Sequence, residues 1–126
     1  MLIVYASKTG NIVRFLQKAT LLLNSTQTFN TLRITTGNEI TCEKFILITY
    51  TTGIGEIPAE IAAFLQANHQ NMVGVIGSGN KNWGESFCNA AKLIHKTYNI
   101  PLLLTFEMAG NKHDAAKFLQ IIKDFS

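Results

Sequence analysis

Along the chain the hydrophobic pattern switches at regular intervals between near-continuous apolar runs and stripes that recur every three or four residues. The runs "LIVYA" (2–6), "FILITY" (45–50), "MVGVIG" (72–77) and "LLLTF" (102–106) have the form of strands covered on both faces, as in a parallel sheet. A further run, "TLRIT" (31–35), alternates instead, with Leu32 and Ile34 inward and Arg33 outward, as an edge or half-covered strand would. Helical stripes lie between the runs: Ile12, Phe15, Ala19 and Leu22; Ile57, Ile61, Phe64 and Leu65; Phe87, Ala90, Ala91 and Ile94; and Ala115, Phe118, Leu119, Ile122 and Phe125. Pro58 suits the first turn of the second helix, where its missing N–H costs nothing, and Asn99 with Pro101 ends the third. The order β-α-β-β-α-β-α-β-α predicts an α/β domain with a parallel sheet and right-handed crossovers.

The link between the second and third strands breaks this rhythm. Only "TGNEITCEK" (36–44) joins them, and a helical crossover usually needs roughly ten to twelve residues. Two arrangements satisfy the pattern. In one the strands are parallel and the crossover has lost its helix, which leaves a thinly covered face as a candidate docking surface. In the other the segment is a local hairpin.

Composition narrows the class. With 126 residues, 47% of them hydrophobic, the chain is expected to form a single domain over 1–126. It shows no basic leader and no apolar stretch near the ~20 residues of a membrane span, so a cytoplasmic protein without a membrane segment is expected. A net charge of +3 permits an acidic partner, but the Lys and Arg residues are scattered rather than striped, which argues against nucleic acid. Cys42 and Cys88 fit no metal or redox spacing and are read as reduced structural thiols. His69, His95 and His113 stand too far apart for a metal motif, and the sequon "NST" at 24–26 has no weight without secretion.

In an open α/β sheet, ligands bind beyond the carboxyl ends of the strands, where the strand order reverses. Three loops fall there. "SKTGN" (7–11) offers Ser7, Thr9 and Asn11 as hydrogen-bonding side chains, Gly10 for close backbone approach, and the free N–H groups of a helix start. A phosphate would fit, although an ordinary N-cap turn looks much the same; the loop is neither a Walker A nor a G-x-G-x-x-G sequence. "TYTTGIGEIP" (49–58) supplies hydroxyls and two glycines. "GSGNKNWGESF" (77–87) adds Ser78, Gly79, Asn80 and Asn82, with Trp83 at the handover from strand to helix. A lone Trp is usually core, but one between Asn82 and Gly84 in a polar loop suggests a surface for a flat ring. A phosphate at the first loop and a planar heterocycle between the other two describe a mononucleotide.

Together "SKTGN", "TYTTGIGEIP", "SGNKNWG" and "YNIPLLLTFEMAG" (98–110) resemble the NrdI family of flavodoxin-like proteins over almost the whole chain. The resemblance implies a flavodoxin-like, doubly wound, five-stranded parallel sheet of order 2-1-3-4-5 with a shortened crossover between strands two and three. It implies flavin mononucleotide (FMN) as cofactor and, as partner, the manganese-dependent small subunit of class Ib ribonucleotide reductase, NrdF, with an unidentified reductant supplying electrons. In that family the reduced flavin reacts with oxygen, and the oxidant helps to form the partner's tyrosyl radical. Carried over by position, Ser7, Lys8, Thr9, Gly10, Asn11 and Ile12 surround the phosphate. Thr51, Thr52, Gly53, Ile54 and Gly55 line one side of the ring, and Ser78, Gly79, Asn80, Trp83 and Gly84 the other. The chain departs from the family at Ile54, where an aromatic residue is common, so Trp83 is the expected ring contact.

Charge bears on the redox chemistry. Lys8 and Lys81 balance Glu56 and Glu85 in these loops, whereas an electron-carrying flavodoxin surrounds its flavin with carboxylates. A unit charge about 10 Å away is worth roughly 0.4 kcal/mol in water and about 1.7 at an effective dielectric of ~20. The fully reduced flavin is therefore expected to be comparatively easy to reach. Gly53 tolerates positive φ, so the Gly53–Ile54 peptide is expected to flip on reduction and offer its carbonyl to the ring. A flavodoxin-type electron carrier and a flavin-free interaction module on the same scaffold remain as alternatives.

Overall fold

The computed structural model describes residues 1–23, 28–52 and 55–125, without the side chains of Trp83, Glu85 and Ser86. The strands are β1 (Leu2–Tyr5), β2 (Asn30–Arg33), β3 (Phe45–Thr49), β4 (Met72–Gly79) and β5 (Leu102–Glu107); the helices are α1 (Asn11–Leu21), α2 (Ala59–Asn68), α3 (Asn89–Tyr98) and α4 (Lys112–Asp124). The sheet has the order β2-β1-β3-β4-β5, with every strand pairing parallel. This is the flavodoxin-like arrangement that the resemblance implied.

Side-chain alternation divides the apolar residues between two cores. Ile3, Ile46, Ile48 and Ile76 face α1 and α4, meeting Phe15, Ala19, Phe118 and Ile122. Leu2, Val4, Leu47 and Val75 face α2 and α3, meeting Ile61, Phe64, Leu65, Ala91 and Ile94. Phe15 of α1 stacks on Phe106 of β5 with ring centroids 4.0 Å apart, a contact that ties the first helix to the far edge of the sheet.

Several boundaries differ from the sequence pattern. Leu22 and Phe125 follow their helices as C-caps and are exposed, while Leu16 joins the core in place of Leu22. Pro58 is the extended N-cap of α2 rather than part of its first turn. Its fixed φ suits either position, but its ψ of 139° lies outside the helical region. Ile57 and Phe87 precede their helices. Strand β4 runs on past Gly77 through Gly79, so Ser78 and Gly79 are strand rather than loop. Asn99 ends α3 in the left-handed conformation expected of a C-capping Asn.

The short link is resolved as a parallel crossover. β1 pairs with β2 on one side and β3 on the other, so residues 34–44 pass over β1 without a helix, and the hairpin arrangement is excluded. Interior backbone that lacks a helix needs partners from elsewhere. The buried carboxamide of Asn68, at the end of α2, provides several: its Oδ1 accepts from the Thr41 N–H at 3.0 Å, and its Nδ2 donates to the carbonyls of Glu39 and Phe64, each at 2.9 Å. Asn71 Nδ2 donates to the Thr41 carbonyl at 3.1 Å. Gly37, at φ +93°, brings the strap so close to α2 that a β-carbon would lie 2.7 Å from that of Ala63. Glu39 folds back on the strap, its carboxylate accepting from the backbone of Thr35, Thr36 and Gly37.

Replacing Asn68 with Ala leaves the Thr41 N–H and the Glu39 carbonyl without these partners. The expected cost is about 1–3 kcal/mol in urea denaturation, with faster hydrogen exchange at Thr41.

Hydrogen bonds from the Thr35 backbone, followed by its neighbours, lower the Glu39 carboxyl from 4.5 to about 2. Because the folded value is the depressed one, the stabilisation is present above pH 4.5 and disappears as the pH falls through about 2. Glu39→Gln should therefore melt below the parent at neutral pH, and the gap should close on acidification across that interval in paired melting curves.

Candidate functional site

The carboxyl ends of β1, β3 and β4 open onto a cleft of about 440 Å³. One end is built by the turn after β1. Gly10 takes φ +83° as the N-cap of α1, a conformation that L side chains rarely adopt. No side chain caps this helix and no acidic residue occupies its first turn, which leaves its N–H groups and positive dipole end available to an anion. The Ser7 Oγ is buried and has no hydrogen-bond partner among the described residues. A buried hydroxyl left unpaired is costly, so its position beside an uncapped helix start suits a ligand oxygen.

Positive charge gathers around this turn. Lys8 lines the cleft, and Arg33 Nη2 donates to the Ser7 carbonyl at 3.1 Å. The Arg14 guanidinium donates to Asn11 Oδ1 and lies close over Gly10. Ile12, at the cleft floor, is buried in the core.

The second wall follows β3. Thr51 is buried, and its Oγ1 accepts from the Ala90 N–H of α3 at 3.1 Å. Thr52 and Glu56 exchange backbone hydrogen bonds of 2.9 and 2.7 Å, which closes the loop on itself. Asn89 Nδ2 donates to the Gly55 carbonyl at 2.6 Å. The expected ring contacts Gly53 and Ile54, and the peptide between them, lie outside the described residues, as does the sequon at 24–26.

The third wall comes from the end of β4 and Asn80, which caps the 3-10 segment Lys81–Ser86. Ser78, Gly79 and Asn80 line the cleft. The Ser78 hydroxyl is already engaged, donating to the Met108 carbonyl at 2.6 Å, and Asn80 Oδ1 accepts from the Asn82 N–H at 2.9 Å. The Trp83 side chain is outside the described set, while Gly84 is exposed, with open space where a β-carbon would sit. Gly10, Gly55 and Gly84 are thus not among the residues that line the cleft.

Two lining residues were absent from the expected set. Tyr50 donates its phenol proton to Glu60 Oε1 at 2.5 Å, and burial followed by that carboxylate holds its ionisation well above the usual range. It stays a neutral wall, and its place directly before "TTG" in the quoted loop was the available signal. Met108 lies in the turn after β5, outside the three loops whose residue types declare hydrogen-bonding chemistry. Among the described residues, the lining thus carries one cation, Lys8, and no carboxylate.

A parallel sheet of this order, with a ligand-sized cleft where β1 and β3 diverge, defines a flavodoxin-like protein. Among similar solved structures, oxidised Flavodoxin 2 from Bacillus cereus shares 25% identity at TM-score 0.70, over 98% of this chain and 95% of that one. The Fusobacterium nucleatum flavodoxin bound to flavin mononucleotide shares 19% at TM-score 0.70, over 98% and 95%. A short-chain flavodoxin associated with a non-canonical PDU bacterial microcompartment shares 18% at 0.71, over 97% and 93%. The chain belongs to the NrdI flavodoxin-like family, whose sequence model matches residues 3–120. Among the described residues, no helix is long and apolar enough to cross a membrane.

Behind the third wall, Cys88 is buried against β4, close to Gly77 and Gly79. Burial pushes its thiol up to about 11, whereas Cys42 is exposed. A thiol reagent at mildly alkaline pH should therefore modify Cys42 quickly in the native protein and Cys88 only after denaturation, as peptide mass spectrometry would show.

Proposed function

We propose that this protein binds FMN in the cleft and, when reduced, supplies an oxygen-derived oxidant to the manganese-dependent small subunit of class Ib ribonucleotide reductase, NrdF. The observation that carries the reading is the unpaired, buried Ser7 hydroxyl at the uncapped start of α1, in a chain of the NrdI flavodoxin-like family. Those donors fit a phosphate monoester. A related fold, the F. nucleatum flavodoxin, was solved with flavin mononucleotide bound.

In this reading Ser7, Thr9, Asn11 and the backbone from Gly10 to Ile12 bind the phosphate, with Lys8 and the neighbouring arginines adding positive potential. Thr51, Thr52 and Gly55, with Gly53 and Ile54 beyond them, flank one side of the ring. Ser78, Gly79, Asn80, Trp83 and Gly84 flank the other. When bound, FMN supplies a two-electron store whose reduced form passes electrons to oxygen. The protein's part is to bind and orient the cofactor and to set its charge environment. Tyr50, kept neutral by Glu60, and Met108 complete the apolar wall.

The same lining separates two roles for a flavoprotein. Carboxylates at the ring would oppose the build-up of negative charge on reduction, and the described lining has none. Full reduction at modest potential suits an oxidant source better than a one-electron carrier. An electron donor of acidic surface is compatible with the net charge of +3.

Ser7→Ala should weaken FMN binding by about tenfold or more, the size expected for a hydrogen bond to a charged phosphate, in a fluorescence titration. The decisive experiment mixes the reduced, FMN-loaded protein with manganese-loaded NrdF and oxygen and looks for the tyrosyl radical by electron paramagnetic resonance. A radical supports the oxidant role. Flavin binding without a radical favours the electron carrier, and a protein that takes up no FMN is an interaction module.

A further inference from the structure

Met108 is a non-glycine residue in the left-handed region, at φ 55°. For a side chain of this size that conformation is uncommon and persists only where the surroundings enforce it. Here the end of β4 enforces it from both sides: the Met108 N–H donates to the Gly79 carbonyl at 2.8 Å, and its own carbonyl accepts from Ser78 Oγ at 2.6 Å. The backbone is thus pinned to the strand that forms the third wall, and the side chain lines the cleft while remaining 50% exposed. Met72, by contrast, is 4% exposed within the core, and Met1 lies at the opposite end of β1 from the cleft-forming turn.

We propose that Met108 is a self-oxidation site, converted to methionine sulfoxide by hydrogen peroxide formed in the cleft before the peroxide escapes. This deepens the proposed oxidant role and rests on it. The chemistry is a two-electron oxygen transfer: a sulfur lone pair attacks one peroxide oxygen, the O–O bond breaks, the S–O bond forms, and the other oxygen leaves as water. Sulfur is oxidised and peroxide reduced. The thioether is soft and accessible, and its pinned backbone keeps it at the cleft. Oxidation would turn one apolar wall polar, and the change is of a kind that methionine sulfoxide reductases reverse.

The test uses the full chain loaded with FMN, reduced without air and then given oxygen through repeated cycles, with and without catalase in the bulk solution. Peroxide release is measured in the catalase-free sample, and peptide mass spectrometry measures the gain of one oxygen atom at each methionine. The expected result is modification of Met108 on the order of tenfold faster than Met72, persisting when catalase is present. Equal modification of the two, or loss of Met108 modification with catalase, overturns the inference. Peroxide release with an unmodified Met108 overturns this inference alone, whereas the absence of both peroxide release and Met108 modification after oxygen is admitted removes the oxidant reading and this inference with it.

Discussion

The arrangement depends on one constraint: β1 pairs in parallel with a neighbour on each side, so the chain must leave its carboxyl end toward β2 and later return across it to β3. Loops that depart in opposite directions cannot fill the space above the strand they leave. The cleft is that space. Its walls are therefore extensions of the most deeply buried strands, and the apolar residues of β1, β3 and β4 hold them in place from below. The stacked pair Phe15 and Phe106 adds a brace between α1, which carries the anion-binding turn, and β5, which leads to Met108.

Electrostatics divides the cleft into two ends. At the turn after β1, an uncapped helix start, Lys8, Arg14 and Arg33 make a positive region with an unpaired hydroxyl inside it. At the walls from β3 and β4, hydroxyls are mostly occupied: Thr51 by Ala90, Ser78 by Met108, and the Tyr50 phenol by Glu60. A ligand with one charged end and one flat, weakly polar end matches this division, because the buried hydroxyl that lacks a partner among the described residues sits where the charge would go.

Much of the fold was legible because burial on both sheet faces writes itself into near-continuous runs such as "FILIT", and two-sided helical packing into stripes such as Ala115, Phe118, Leu119 and Ile122. The misreadings fall where local pattern has no voice. Leu22 continues a stripe but lies beyond the last turn of its helix, and Ser78 and Gly79 look like a loop although β5 pairs with them. The anion-binding turn could be read from residue type, since hydroxyls, Gly and a helix start declare their chemistry. Tyr50 and Met108 could not be read that way, because a phenol and a thioether become walls only through the register of β3 and the turn after β5.

The crossover carried by Asn68 has a consequence of another kind. A helix contains its own hydrogen bonds and can hold its shape while neighbours shift. Residues 34–44 instead borrow some of theirs from Asn68 at the end of α2 and Asn71 just beyond it. Their order is thus inherited, and the two segments should open and close together as one cooperative unit. Any partner that presses on α2 would be felt, chiefly through the Asn68 carboxamide, along the strap and at the edge strand from which it departs.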